Sequence, residues 1–168
     1  LPATGSREGS KLQDASGCGL YWTSTPDASN GAHMYTFGAA LGEPSIAERY
    51  CGLAIRPVSD YNVDTDIPSD GETDGHKWVD LGLPSGLKWA KCNVGASAPE
   101  ECGDYFSWGE VEPKTTYDWI TYKYCNGSNS TLTKYCDESS YGNNGFTDTK
   151  KILDPEDDAA TVNWGGTW

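Results

Sequence analysis

Apolar residues along this chain fall in short runs separated by Pro, Gly and Asn, and the runs are strand-sized. Residues 20–25 (Leu-Tyr-Trp-Thr-Ser-Thr), 32–40 and 51–58 predict three strands of a small antiparallel sheet. Further on, Lys77–Leu83 and Leu87–Val94 predict a hairpin around Pro84-Ser85-Gly86, followed by a short strand over Tyr105–Val111. Asp118–Cys136 is rich in Tyr and Thr and predicts irregular or short extended structure. The best helix signal comes late. Asp154 suits the N-cap and Pro155 the first helical position, Glu156 and Asp157 face the positive end of the dipole, and Gly165 or Gly166 supplies the stop. Strands first and one late helix predict an α+β fold.

Between the two groups of elements lies Asp60–Gly75, dense in carboxylates and free of Lys and Arg, which reads as a solvated linker. The expected organisation is therefore 1–59, an acidic linker over 60–75, and 76–168. Asp60-x-Asn62-x-Asp64 and Asp70-x-Glu72-x-Asp74-Gly75 echo the opening of a calcium loop. The first lacks Gly at its sixth position, and the second has Leu81 where a bidentate Glu would stand.

Composition changes what the core must be made of. Leu, Ile, Val and Phe supply only 24 of 168 residues, whereas seven Trp and ten Tyr are present. Each aromatic ring buries roughly 150–250 Å², so the expected core is aromatic, with Trp22, Trp78, Trp89, Trp108 and Trp164 placed in strand or helix patterns. Twenty Gly and nine Pro fit a turn-rich chain. A net charge of −13 argues against a nucleic-acid partner, which needs clustered Lys and Arg. No apolar run approaches the ~20 residues of a membrane-spanning helix.

Six cysteines (Cys18, Cys51, Cys92, Cys102, Cys125, Cys136) form no C-x-x-C, which leaves zinc-ribbon and thioredoxin-like readings without support. The plain reading is disulfides and an oxidising compartment. Cys18–Cys51 is one candidate pair. Cys125–Cys136 is another, closing the loop that carries the sequons Asn126-Gly-Ser128 and Asn129-Ser-Thr131, and Cys92–Cys125 with Cys102–Cys136 is the alternative.

Three longer stretches carry a resemblance. They are Trp78-Val-Asp-Leu-Gly-Leu-Pro-Ser-Gly-Leu-Lys-Trp-Ala-Lys-Cys-Asn-Val-Gly-Ala96, Gly103-Asp-Tyr-Phe-Ser-Trp-Gly-Glu110, and Asp154-Pro-Glu-Asp-Asp-Ala-Ala160 with Asn163-Trp-Gly-Gly166. Together they resemble the opening half of the Fibrobacter succinogenes major paralogous domain. Leu1-Pro-Ala-Thr-Gly-Ser-Arg7, Tyr21-Trp-Thr-Ser24 and Gly52-Leu-Ala-Ile-Arg-Pro-Val58 resemble its closing half. The order is reversed relative to that family, and its middle portion, with an Arg-Met-Pro-Thr helix, is not found after Trp168. The expected explanation is a junction of two tandem modules; a circular permutation and pieces joined out of order are the alternatives.

The resemblance implies a C-type lectin-like architecture: a twisted antiparallel sheet, few helices, long loops and disulfide support. It also implies an extracellular or cell-surface bacterial setting, with Tyr21–Val58 similar to the variable final region of receptor-like relatives. A half-module exposes sheet edge and apolar face, so each half needs a complement, from within the chain or from a neighbouring copy.

Candidate chemistry is sparse. Leu1-Pro-Ala-Thr-Gly5 matches a sortase signal but stands at the wrong end of the chain, and His33 and His76 make neither a metal site nor a triad on their own. No Gly-x-Ser-x-Gly elbow occurs. The formylglycine-generating enzymes share the lectin-like core, but their redox cysteine motif is not recognisable here. Asp154, Glu156, Asp157 and Asp158 form a cluster of oxygen donors for which calcium is the candidate ion; favourable helix N-terminal charge explains the same residues without a partner.

The functional expectation is a non-catalytic binding or adhesion module, with no cofactor unless calcium, displaying loops to a glycan or protein on another surface. Asp27, Asn30, Tyr35, Phe37, Glu43 and Tyr50 are the candidate contacts. A surface-fibre subunit that pairs with copies of itself through its strands is the alternative.

Overall fold

A computed structural model of the chain describes residues 1–15, 17–38, 42–59, 70–165 and 168. Among these, the architecture is mostly antiparallel sheet with one short helix, an α+β arrangement in three sheets. A two-residue turn at Gly9-Ser10 joins β1 (Ser6–Glu8) to β2 (Lys11–Gln13). The main sheet has the order β3 (Gly19–Pro26), β4 (Gly31–Phe37), β5 (Glu43–Glu48). Cross-strand partners share a face. Trp22, Met34 and Ser45 are in register on the face that carries Leu20, Ala32 and Ala47 against the core, while Tyr21, Tyr35 and Pro44 point the other way. On that second face the Tyr21 ring stacks on Phe37 at 6.0 Å. The expected strands at 20–25 and 32–40 correspond to β3 and β4, residues 39–40 lying outside the described residues. β5, polar and glutamate-flanked, had no sequence signal.

The second sheet has the order β6 (Val58–Ser59), β9 (Lys88–Ala90), β8 (His76–Asp80), β7 (Asp70–Thr73). The expected hairpin is therefore present but shorter, because Leu81 and Leu83 turn outward instead of continuing the strand. The linker expectation over 60–75 needs correcting at its end. Asp70–Thr73 pairs with β8 because alternation puts Gly71 directly against the Trp78 ring, where a Cβ would come within 2.2 Å. The Asp70–Gly75 segment of the calcium-loop reading is this strand and its turn, an extended hairpin in place of a loop wound about an ion, and Asp70 pairs there with Lys91. The Asp60–Asp64 reading lies outside the described residues.

Two other strand expectations dissolve into isolated bridges. Residues 51–54 form no regular strand; they stitch three segments together, through Arg7–Gly52, Tyr21–Ala54 and Leu53–Phe106. Tyr105–Val111 keeps only the Phe106 bridge, because its rings turn inward and its backbone turns at Trp108-Gly109. Residues 118–136 are irregular, as expected. The helix begins later than Asp154: Pro155–Asp157 is a single 3₁₀ turn, and α1 runs Ala159–Trp164. Asp158 is the true N-cap, accepting from the Ala160 amide, because the proline geometry at 155 ends after one turn. Gly165, at φ 99°, stops α1. No helix among the described residues is long and apolar enough to cross a membrane.

Two aromatic cores result. One gathers Trp22, Leu53, Trp108, Tyr122, Tyr124, Leu132 and Tyr135; the other gathers Trp78, Ala90, Val94, Phe106, Ala160, Trp164 and Trp168, and Ile55 touches both. Residues before 60 and after 75 thus complete each other within one chain. Of the five tryptophans expected inside, Trp89 is the exception, half-buried opposite Val58 and Val79.

The disulfide expectation is corrected as well: all six thiols are free. Cys18 and Cys51 are kept apart by the approach to β1, where Gly5 donates to the Cys18 carbonyl and Arg7 exchanges both backbone bonds with Gly52. Cys125 Sγ lies 3.0 Å from the Trp119 carbonyl and Cys136 Sγ lies 3.2 Å from that of Glu138, so each thiol is turned to its own backbone. Cys102 approaches Ala3, and Cys92 packs beside the second core. Burial, reinforced by Glu8 and Glu48, pushes the Cys51 thiol up to about 12, and burial also raises Cys125 and Cys136. Such thiols hold little of the thiolate that disulfide formation requires.

Candidate functional site

Where the two cores meet, the chain leaves a groove of about 530 Å³. Three local features open it. β3 carries Tyr21 and Thr23 to one rim, β9 offers Trp89 from the second sheet, and the turn before α1 brings Asp157–Ala160 across from them. Six rings line it: Tyr21, Trp22, Tyr35, Trp89, Trp108 and Trp168. Concave, mostly aromatic surfaces with a few polar groups are the usual form of a ligand site.

The charged groups at the groove are held by neighbours. Asp157 is buried and receives the phenols of Tyr124 and Tyr135 together with Lys134 and Lys123. Burial alone would raise its pKa, but the hydrogen bonds from Lys134, Tyr124 and Tyr135 outweigh it and hold the carboxyl down to about 2. Glu110 accepts at Oε1 from Lys114 Nζ (2.9 Å) and from the Lys123 amide (2.8 Å). Asp158 caps α1 and also accepts from the Thr161 hydroxyl. The Arg56 guanidinium donates to Asn93 and to the carbonyls of Ala90, Lys91 and Pro99.

The indoles differ from one another. Trp22 Nε1 donates to the Phe106 carbonyl at 2.8 Å and Trp108 Nε1 to that of Thr23 at 2.9 Å. Trp89 Nε1 and Trp168 Nε1 are buried with no acceptor among the described residues. A buried, unpaired N–H costs about 1–3 kcal/mol, and both unpaired donors belong to residues that line the groove.

Of the six candidate contacts, the structure brings only Tyr35 to the groove, 42% exposed. Phe37 reaches it indirectly through its stack on Tyr21. Asp27 and Asn30 sit in the β3–β4 loop, where Asp27 accepts from the Ser29 amide and hydroxyl, which lowers its pKa. That loop is fixed from below by the fully buried Arg49, which donates to the carbonyls of Asp27, Ser29 and Gly31. Glu43 lies exposed on β5 opposite Thr36, and Tyr50 packs edge-on against Trp119 at 5.2 Å. The four acidic candidates do not converge on a cation position. Asp154 pairs with Lys134 and Lys150, Asp157 faces inward, Asp158 caps a helix and Glu156 is exposed. Among the described residues no group of three or more His, Cys, Asp or Glu is placed to hold a metal ion.

Sequence reasoning missed Trp168, Glu110 and Arg56 as groove residues and took Trp89 for core. Their joint position depends on β6 pairing with β9 and on the chain's end folding back over Trp164, neither of which leaves a local pattern. No family model, curated protein or solved structure matches this chain.

Proposed function

We propose that the chain is a non-catalytic binding module of C-type lectin-like architecture, acting outside the cytoplasm and offering its aromatic groove to a glycan or protein on another surface. The observation that carries this reading is the groove itself, with six rings lining it at the junction of two cores. Its carboxylates serve as wall ties: Asp157 to lysines and phenols, Asp158 to α1, and Glu110 to Lys114. An acid or base at work needs a group free to exchange a proton with substrate, and these groups are engaged in holding the walls. The rigid strands β3 and β9 that position Tyr21 and Trp89 suit recognition, because little order has to be gained on binding. The resemblance of Trp78–Ala96 and Gly52–Val58 to a surface-protein family supports the same reading.

The test is capture by the folded chain on a glycan array and in a pull-down from cell-surface extracts. The expected result is a ligand whose retention falls roughly tenfold when Tyr35→Ala removes an exposed groove ring. Failure to bind any glycan or surface protein overturns the reading.

A further inference from the structure

We infer that the groove takes an extended apolar segment of a partner protein, seating an aromatic or aliphatic side chain among its rings beside the bulged backbone of β3; this rests on the binding-module reading above and selects protein over glycan. The charges at the groove argue for an uncharged occupant, because nearly all are matched from within. Asp157 holds Lys134 and Lys123, Asp158 caps α1, Glu110 holds Lys114, and the Arg56 guanidinium donates to Asn93 and three backbone carbonyls. The Leu1 α-ammonium is the one lining charge without an ion-pair partner among the described residues, and Leu1 is 55% exposed. An anion meets only that cation, at the solvent edge where pairing gains little. A cation meets no unpaired carboxylate in the lining, and either ion gives up its hydration on entering.

Sugar hydroxyls fare no better. Trp22 and Trp108 give their N–H groups to carbonyls, those of Trp89 and Trp168 are buried beyond a ligand's reach, and Thr23 Oγ1 donates to the His33 carbonyl. Among side chains, the Ser24 and Tyr35 hydroxyls and the second oxygen of Glu110 are the chief groups left to a ligand. A pyranose brings several hydroxyls, each donor and acceptor, and most would be desolvated without partners. An apolar side chain carries no such cost, and it meets six rings with Ile55, Val58 and Leu153 beside them. The backbone of β3 favours a peptide over a free hydrophobe. Thr23–Thr25 bulge between Trp22 and Pro26 with no register partners on β4, and Thr23 and Ser24 lie exposed on the groove rim. A bulge takes backbone groups off the ladder, so an extended chain laid along it pairs through its main chain while alternate side chains enter the rings.

The experiment pans a phage library of random peptides against the full chain and measures the selected peptides, made synthetically, by calorimetry beside cello-, manno- and galacto-oligosaccharides. The expected consensus is an uncharged anchor of Trp, Phe, Leu or Ile, in a peptide that binds about tenfold or more tighter than the best oligosaccharide. Tyr35→Ala removes an exposed groove ring and Ser24→Trp fills the rim, and each should weaken the peptide by on the order of tenfold. Ile120→Ala, at an exposed apolar residue outside the groove, should leave it unchanged. On the peptide side, Ala in place of the anchor and N-methylation of the backbone beside it should each weaken binding by the same order. Should both groove variants misfold by near-ultraviolet circular dichroism, the two altered peptides decide with the natural chain. A library without a groove-dependent peptide, a charged anchor, a tighter oligosaccharide, unchanged affinity after N-methylation, or equal weakening by Ile120→Ala overturns the inference. The binding-module reading then stands or falls separately, on the glycan array and the pull-down.

Discussion

The core around Trp108 and the core around Trp164 are both aromatic, yet they treat the polar tips of their rings differently. Around Trp108, Tyr122 donates to the Trp108 carbonyl, Tyr124 and Tyr135 share Asp157, and Trp22 and Trp108 each find a backbone carbonyl. Arg49 lies within this core, over the Trp108 ring at 5.0 Å, with backbone acceptors for its guanidinium. Around Trp164, Trp78 reaches Thr73 Oγ1 and His76 stacks on Trp164 at 3.9 Å, but Trp168 Nε1 has no acceptor among the described residues, nor has Nε1 of Trp89, which also lines the groove. A chain poor in aliphatics must pair its ring heteroatoms to bury them. Among the described residues the first core meets that requirement at every buried ring atom, and the second leaves the Trp168 N–H without an acceptor.

The comparison breaks most severely at Arg49. Arg49→Leu strips donors from the carbonyls of Asp27, Ser29, Gly31 and Tyr135 and should cost about 4 kcal/mol in urea unfolding. Next comes Asp157→Asn, which removes one of the two carboxylate charges facing Lys134 and sets an amide NH2 against one of the two phenols, with an expected loss of about 2–3 kcal/mol by the same measurement. The natural chain should show the matching acid limb. The Asp157 carboxyl titrates lower in the folded state, at about 2, than the ordinary value of 3.8. Its contribution, on the order of 1–2 kcal/mol, is therefore whole above about pH 4 and lost as pH falls toward the folded-state value. Asp154, also lowered by Lys134 and Lys150, acts in the same direction. Thermal melts across that range should show the decline, and Asp157→Asn should flatten it.

Smaller effects sharpen the contrast between cores. Trp22→Phe removes the indole bond to the Phe106 carbonyl, which keeps the Leu53 amide, together with buried ring volume, and should cost about 1–2 kcal/mol. Trp168→Phe deletes a donor that has no partner among the described residues, so the loss of ring volume and the relief of an unpaired group oppose each other. Its unfolding free energy should stay within about 1 kcal/mol of the natural chain. Equal losses in the two variants would erase the distinction.

What the sequence disclosed follows from how local each signal is. β3, β4 and the β8–β9 hairpin were legible because their apolar runs are bounded by Pro, Gly and Asn. β5 was not, since an exposed edge strand with Glu43, Pro44 and Glu48 carries no apolar alternation. Asp154 mimicked an N-cap so well because Pro155 does start a turn, but the α-helical hydrogen bonds begin only after Asp158. The even cysteine count suggested bridges, whereas the insertion of residues 5–7 between Cys18 and Gly52 is a tertiary event. Tyr35, which lines the groove, was readable as an aromatic near a loop edge. Trp89, Glu110 and Trp168 converge from three distant segments and were not.

The most direct test of the claim that one core pairs its ring heteroatoms and the other leaves a donor without an acceptor is the indole region of the proton–nitrogen correlation spectrum, where the seven tryptophans each contribute one Nε1–H resonance. The Trp22 and Trp108 protons, bonded to carbonyls, should lie downfield of those of Trp89 and Trp168, which have no acceptor among the described residues. Trp89 and Trp168 protons as far downfield as those of Trp22 and Trp108 would contradict the account.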